Sequence, residues 1–388
     1  MKLGVFIGTR PEIISLSTVL NSLPKKKFSI FLFDVLEESG WFEKGVQYLT
    51  LGYSSPKKTI KWSSYQKLYK EISQYIEQYE LDLLLTSDYS KTVLVSTYIF
   101  RRLDLPSIHI GSGFRKYSYD YDEFLRQTVD KLTPFHLTML EIHKRTLVKE
   151  GFPSNQIEFI GSPSVDAVLR NMSEAIKKST ILDELYLDEE KYYVAFLNYT
   201  QSSNIIDHLV KVADEVDSEL IVSLPKSLKK KLIMEDRYYE IMEKHDILFI
   251  EVLDFLDYIT ISYYSKGILT DSYWLLPQLV LFKKPIIFFS EYNDPYNLEG
   301  FKAISRISPS EVALDKLILK NIEHTKPRVN ILPYFGNGEA TEKAIEFIEE
   351  FSDAEYKYPP QELSIMENNT MKSLPMMDIK EIFDGVGQ

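Results

Sequence analysis

Short apolar runs alternate with amphipathic helical patterns through the first half of the chain, and the alternation restarts near residue 190. Strands separated by helices are typical of βαβ units, whose strands lie parallel. The sequence therefore predicts an α/β fold with parallel sheets. The predicted strands are residues 3–7, 28–32, 81–85, 107–110 and 136–140, then 193–197, 219–223, 247–251, 267–269 and 285–289; the predicted helices include 65–79, 93–102, 122–131, 141–150, 204–216, 273–281 and 341–351.

The length of 388 residues indicates more than one domain, because a single hydrophobic core stops growing at a smaller size. We predict an N-terminal domain over residues 1–168, to which a late helix at 341–352 returns, and a C-terminal domain over 169–340. Residues 353–388 carry two adjacent prolines and little periodicity. This segment is expected to be a partly disordered extension.

Composition excludes several classes of function. The net charge of −12 argues against a broad nucleic-acid surface, which needs a dense basic patch. No apolar run reaches the roughly 18 residues of a transmembrane helix, and the chain has no cysteine. The six histidines show no metal-ligand spacing. We therefore expect a cytoplasmic protein without a metal or other cofactor.

Polar loops follow three predicted strands of the first half, at residues 8–12, 86–90 and 111–115. Ligands of open parallel sheets bind at the carboxyl ends of the strands, so these loops predict a binding site. None matches a phosphate-binding P-loop or a complete G-x-G-x-x-G fingerprint, which argues against a P-loop kinase or an NAD enzyme. Any single loop also fits an ordinary turn. The candidate binding residues here are Gly8, Arg10, Ser112 and Arg115, with Ser272 at a strand end of the second half.

Motifs in these loops, taken in order, resemble those of the non-hydrolysing UDP-N-acetylglucosamine (UDP-GlcNAc) 2-epimerases. The opening IGTRPE at residues 7–12 resembles the family's FGTRPE, and the SD at 87–88 resembles its HGDT loop. The further similarities are HIGSGFR at 109–115 to HVEAGLR, DEFLRQTVDKL at 122–132 to PEEINRxLTDxL, GSPSVDAV at 161–168 to GNTVIDAL, LDFLDY at 253–258 to PLDYLPF, LTDS at 269–272 to LTDSGG, and PYFGNG at 333–338 to NPYGDG.

This resemblance implies two Rossmann-like domains with parallel sheets facing a central cleft, as in the GT-B glycosyltransferases. It also implies a UDP-sugar ligand, a reaction in which UDP is eliminated and added back with C2 inverted, and a homodimer. The implied catalytic residues are Asp88, Asp122 and Glu123. The implied substrate-binding residues, besides those of the loops above, are Arg126, Tyr258, where the family stacks an aromatic ring on uracil, and Tyr273 and Gln278.

Several motif positions depart from the family. The glutamate of HVEAG is Gly111, the lysine of the first helix is Ser15, and the two glycines of SGG are Tyr273 and Trp274. The histidine and arginines of GHRREN are absent near residues 197–201, and a family carboxylate falls at Gln278. Losing one general base costs about 10²–10⁴-fold in rate. Three hypotheses therefore stay open: a 2-epimerase, a glycosyltransferase that uses a UDP-sugar and an acceptor glycan, and a non-catalytic binding or assembly protein.

Overall fold

The computed structural model describes residues 1–34, 46–50, 62–118, 120–198, 204–322 and 330–354. Within these ranges the strands form two sheets, and every strand pair is parallel. Most of the predicted extension at 353–388 lies outside the described residues. No helix in the described part of the chain is both long and apolar enough to cross a membrane.

The first sheet has seven described strands in the order β3-β2-β1-β4-β5-β6-β7. Most of its described side chains are buried on both faces, as expected of a parallel sheet covered by helices. Its strands are β1 (Lys2–Ile7), β2 (Ser29–Asp34), β3 (Val46–Thr50), β4 (Leu83–Ser87), β5 (Ser107–Ile110), β6 (Phe135–Thr138) and β7 (Ile157–Phe159), and its helices are α1 (Arg10–Ser22), α2 (Trp62–Tyr79), α3 (Lys91–Arg102), α4 (Tyr121–Leu132) and α5 (Glu141–Lys149).

The second sheet has six described strands in the order β10-β9-β8-β11-β12-β13, the strand order of the Rossmann fold. Its strands are β8 (Tyr192–Phe196), β9 (Glu219–Ser223), β10 (Ile247–Ile250), β11 (Gly267–Thr270), β12 (Ile286–Phe289) and β13 (Ser305–Ile307), and the remaining helices are α6 (Pro163–Lys178), α7 (Ile181–Glu184), α8 (Asn204–Glu215), α9 (Lys226–Met234), α10 (Arg237–Lys244), α11 (Phe255–Tyr264), α12 (Leu276–Leu279), α13 (Leu314–Ile322) and α14 (Ala340–Asp353).

Helix α6 connects the two sheets. It packs against α1 on the first sheet and against α11 and α12 on the second. The predicted boundary at residue 168 lies inside this helix, so the chain passes from one sheet to the other along a helix rather than through an open linker. The backbone N–H of Thr341, at the start of α14, donates to the Asp166 side chain of α6 over 2.7 Å. Ala344, Ile348 and Phe351 of α14 then pack into the core of the first sheet.

The predicted helix at residues 273–281 differs from the structure. The segment forms a 3₁₀ turn at Tyr273–Leu275, one turn of α-helix at Leu276–Leu279, and a second 3₁₀ turn at Val280–Phe282. Pro277 lacks a backbone N–H and cannot continue a helix from the preceding turn, and Lys283 ends the segment at a φ of 56°. Strands β3, β7 and β13 were not predicted, because they lie at or near the sheet edges and carry weak apolar patterns.

Candidate functional site

A cavity of about 510 Å³ lies between the carboxyl ends of the two sheets. This is the edge at which open parallel sheets bind ligands. The loops after β1 and β4 and the helix α4 form one wall, and the loops after β8, β9, β10 and β11 form the other. The first wall contains Thr9, Arg10, Pro11, Ile14, Asp88, Tyr89, Asp122 and Arg126, and the second contains Phe196, Leu197, Asn198, Ser223, Val252, Leu253, Asp254, Phe255, Tyr258, Tyr273, Trp274 and Leu275.

Arg10 spans the cavity from the start of α1. Thr9 and Glu12 form a capping box that fixes the first turn of this helix, and Pro11 suits that turn because its missing N–H has no helical partner. From there the guanidinium Nη1 of Arg10 donates to the carbonyl oxygen of Leu253 over 2.7 Å. Arg10 therefore links the first sheet's loop to the loop after β10 in the second.

Asp88 lies half-buried directly after β4 with a φ of 55°, a left-handed conformation that aspartate tolerates better than most residues. Burial in the cleft raises the pKa of its carboxyl above the ordinary value, the Arg126 guanidinium and the Tyr89 N–H lower it, and the Asp122 carboxylate raises it. Asp122 lies in the first turn of α4. The cavity therefore contains two interacting carboxylates beside a cation.

Arg126 is buried on α4, with only 4% of its surface exposed. Its guanidinium lies 5.7 Å from the ring centre of Tyr89, 5.0 Å from that of Phe114 and 5.1 Å from that of Tyr273, and its Nη2 donates to the Tyr273 hydroxyl. Burial alone would lower its pKa, but Tyr273 and the Asp88 carboxylate reverse this, so the pKa of Arg126 lies above its ordinary value. Arg126 is thus a permanent cation held by a residue of the opposite wall.

Tyr258 lines the cavity with little of its ring exposed. The ring is 7% exposed and packs between Phe255 and Phe196, at centroid distances of 6.1 and 5.2 Å. Its hydroxyl is buried and makes no hydrogen bond with the described residues. Its ring therefore belongs largely to the core of the second sheet.

Three predicted residues of the first wall lie behind the cavity. Arg115 is 4% exposed, and its guanidinium forms ion pairs of 2.7 Å with Asp130 and with Glu150. Ser112 is fully buried. Glu123 accepts a hydrogen bond of 2.9 Å from the Lys116 N–H. In the structure these three residues lie in structural positions. The binding and catalytic roles predicted for Ser112, Arg115 and Glu123 stay predictions.

Three further predicted residues also lie just outside the cavity lining. Ser272 is fully buried, and its hydroxyl accepts a hydrogen bond from Asn198, which lines the cavity. Gln278 is 1% exposed, and its Oε1 finds no hydrogen-bond partner in the described residues. Gly8 packs on α3, where an added Cβ would lie 2.6 Å from the Thr92 hydroxyl. Ser272 therefore adjoins the cavity through Asn198.

Comparison with known proteins shows the family of this chain. The sequence profile described as UDP-N-acetylglucosamine 2-epimerase matches residues 48–349. The chain belongs to this family. The 2-epimerase family resemblance predicted from the ordered motifs is therefore confirmed.

Individual 2-epimerases match nearly the whole chain. The UDP-N-acetylglucosamine 2-epimerase of Methanocaldococcus jannaschii is 23% identical over 365 residues, which is 90% of this chain and 99% of that protein. The Methanocaldococcus jannaschii UDP-GlcNAc 2-epimerase in complex with UDP-GlcNAc and UDP matches with a TM-score of 0.80 at 22% identity, over 90% of this chain and 100% of that one. The Neisseria meningitidis 2-epimerase bound to UDP-GlcNAc gives a TM-score of 0.78 at 18% identity, over 90% and 100%. The predicted GT-B-like fold class is confirmed.

Gly111 stands where the 2-epimerase motif has a glutamate, and its backbone is held in a specific conformation. Gly111 has a φ of 92°, and its carbonyl oxygen accepts a hydrogen bond of 2.9 Å from the Tyr89 hydroxyl. Tyr89, which lines the cavity, therefore binds the backbone of Gly111.

Sequence reasoning missed Asn198 and Tyr89 as cavity residues and treated Trp274 only as a departure from the 2-epimerase motif. Asn198 follows the carboxyl end of β8, so the strand-end argument applied to the other loops would have identified it. No group of three or more His, Cys, Asp or Glu side chains among the described ranges is arranged to hold a metal ion.

Proposed function

We propose that this protein is a UDP-sugar enzyme that interconverts UDP-GlcNAc and its C2 epimer, UDP-N-acetylmannosamine. The observation that carries the proposal is an interdomain cavity whose first wall contains two carboxylates, Asp88 and Asp122, and two guanidinium groups, Arg10 and Arg126. Membership of the 2-epimerase family supports it.

The proposed chemistry needs both kinds of group. In elimination, the C2–H bond breaks and its proton passes to a base, while the C1–O bond breaks and UDP leaves. In the return step, a UDP oxygen bonds to C1 and an acid delivers a proton to the other face of C2. Asp88 and Asp122 supply the acid/base pair in this proposal, and Arg10 and Arg126 stabilise the negative charge of the leaving diphosphate.

The test is proton–deuterium exchange at C2 of UDP-GlcNAc in D₂O, followed by NMR. We expect deuterium at C2 and the appearance of the epimer with the wild-type chain. Asp88→Asn is expected to slow the exchange by at least about 100-fold. Asp104→Asn is the matched control, because Asp104 is exposed and shares the left-handed backbone conformation, with a φ of 53°. UDP-GlcNAc that stays undeuterated would refute the epimerase reaction.

A second candidate, a glycosyltransferase, is favoured by the absence of a carboxylate at Gly111, since transfer does not require proton exchange at C2. In that reaction UDP release depends on an added acceptor glycan, whereas C2 stays protonated. The third candidate is a binding or assembly protein. It would bind UDP but catalyse neither reaction. Binding would be shown by a raised melting temperature with UDP, an effect that Arg10→Ala removes.

The proposal also includes an oligomeric state, a location and a biological role. We propose that the protein forms a homodimer, by analogy with the 2-epimerase family, lies in the cytoplasm, and acts in cell-surface polysaccharide biosynthesis. The domain limits 1–168, 169–340 and 353–388 are proposed with them. Light scattering of the purified chain tests the dimer, and limited proteolysis with mass spectrometry tests the limits.

A further inference from the structure

The two walls of the cavity differ in chemistry. The wall formed by the first sheet contains the charged groups Arg10, Asp88, Asp122 and Arg126. The opposite wall contains mainly apolar and aromatic side chains, among them Phe196, Leu197, Val252, Phe255 and Trp274. A ligand with a charged part and a flat base would therefore place its base against the second sheet.

Most aromatic rings in the cavity are already committed to other contacts. Phe196, Phe255 and Tyr258 are 6%, 9% and 7% exposed and belong to the hydrophobic core of the second sheet. The ring of Tyr273 lies 5.4 Å from that of Phe114 and contacts the Arg126 guanidinium. These rings leave little face for a ligand.

Trp274 differs from them. Its side chain is half-buried, lines the cavity and packs against the core of the second sheet. Across the described ranges, no other aromatic ring stacks on it and no cation lies over it. A partly exposed indole offers a large aromatic surface on which a nucleobase can stack.

The position of Trp274 in the loop fits this use. It lies two residues after Ser272, which Asn198 joins to the cavity by a hydrogen bond. Arg10 reaches the same wall at Leu253. Polar groups for a diphosphate, on Arg10 and Asn198, therefore line the same cavity as Trp274.

We propose that Trp274 is the residue on which the uracil base of the bound UDP group stacks, whereas Tyr258 belongs to the core of the second sheet. The assignment rests on the proposed function for the identity of the ligand. It names a base-binding residue at a position where the 2-epimerase motif has glycine.

Calorimetric titration with UDP and with inorganic diphosphate tests the assignment. Trp274→Ala is expected to weaken UDP binding about 5- to 150-fold, the usual range for removing one base–aromatic stack, and to leave inorganic diphosphate binding unchanged. Trp274→Phe keeps a ring and is expected to retain most of the affinity. Tyr186→Ala, which truncates an aromatic side chain that is 92% exposed, is the matched control.

Fluorescence gives a second measurement. The chain has three tryptophans, so replacing Trp41 and Trp62 by phenylalanine leaves Trp274 as the only one. UDP is expected to quench its emission, and inorganic diphosphate is not. If that variant fails to fold, the calorimetric comparison stands alone.

The outcomes separate this inference from the proposed reaction. Unchanged UDP affinity in Trp274→Ala, or equal weakening of UDP and inorganic diphosphate, overturns the stacking role even if C2 exchange occurs. UDP binding that depends on Trp274 supports the role even if C2 exchange is absent. No UDP binding by the wild-type chain overturns both.

Discussion

A buried histidine makes the stability of the fold depend on pH in a way that one substitution can isolate. His143 on α5 is 2% exposed and packs against the rings of Phe114 and Tyr296, at centroid distances of 5.8 and 5.9 Å. Burial lowers its pKa from 6.5 to about 4, and the nearby Pro295 carbonyl offsets this only in part. The folded state therefore keeps His143 neutral at pH values where the unfolded chain protonates it.

The sign and size follow from proton linkage. Between pH 4 and 6.5 the unfolded state binds more protons at His143 than the folded state, so lowering the pH favours unfolding. From neutral pH to about pH 5 this one group removes about 2 kcal/mol of the free energy of unfolding, since one pKa unit corresponds to about 1.36 kcal/mol. His143→Phe cannot titrate, so the variant should gain that amount relative to the wild type over this interval.

Urea unfolding of both proteins, followed by far-UV circular dichroism at about pH 7, 6 and 5, measures the difference. Other titrating groups are common to the two proteins and cancel. The phenyl ring alters packing by an amount that does not depend on pH, so only the change in the difference matters. A difference that stays constant from pH 7 to 5 would show that His143 is protonated in the folded state and would refute the reasoning.

Three further predictions concern the loops around the cavity. Asp88→Asn should slow C2 exchange by at least about 100-fold, and because the pKa of Asp88 is raised, the wild-type rate should begin to fall with decreasing pH above the ordinary aspartate range. Burial raises the pKa of Glu12 to about 8, so the unfolded state loses this proton before the folded state does, and this group lowers the free energy of unfolding as the pH rises from about 5 to 8, opposite in sign to His143. The free energy of unfolding of Glu12→Gln minus that of the wild type, measured by urea titration at several pH values, should therefore rise by about 1.4 kcal/mol per pH unit over this interval. Gly8→Ala should lower the free energy of unfolding by about 1–3 kcal/mol, because its Cβ would lie 2.6 Å from the Thr92 hydroxyl and 2.8 Å from that of Ser90.

The sequence predicts the sheets well because buried parallel strands are nearly continuous apolar runs. Strands β1, β5 and β9 lie within a residue or two of the predicted limits. The short strands β7 and β13 have three residues each, too few for a pattern to stand out. The segment after β11 was predicted as one helix because its periodicity is helical, but proline at residue 277 divides it.

The sequence predicts a cavity residue only where the position of the backbone alone places that residue at the cavity. The strand-end rule located Arg10 and Asp88, since a residue directly after a parallel strand lies at the binding edge. It could not separate Arg126, which lines the cavity, from Arg115, which pairs with Asp130 at 2.7 Å. That distinction depends on which neighbours a side chain meets in space, and no local pattern records it.

Two departures from the 2-epimerase motifs, at residues 273 and 111, contact side chains that line the cavity. Tyr273, at a motif glycine, holds Arg126 through its hydroxyl, while Tyr89 binds the backbone of Gly111. A Cβ at Gly111 would lie 3.1 Å from the Met139 side chain, and its φ of 92° disfavours any side chain. Restoring a glutamate there would thus require the loop to rearrange. In the proposed reaction, proton transfer is therefore assigned to Asp88 and Asp122, and we predict that Gly111→Glu alone does not raise the rate of C2 exchange.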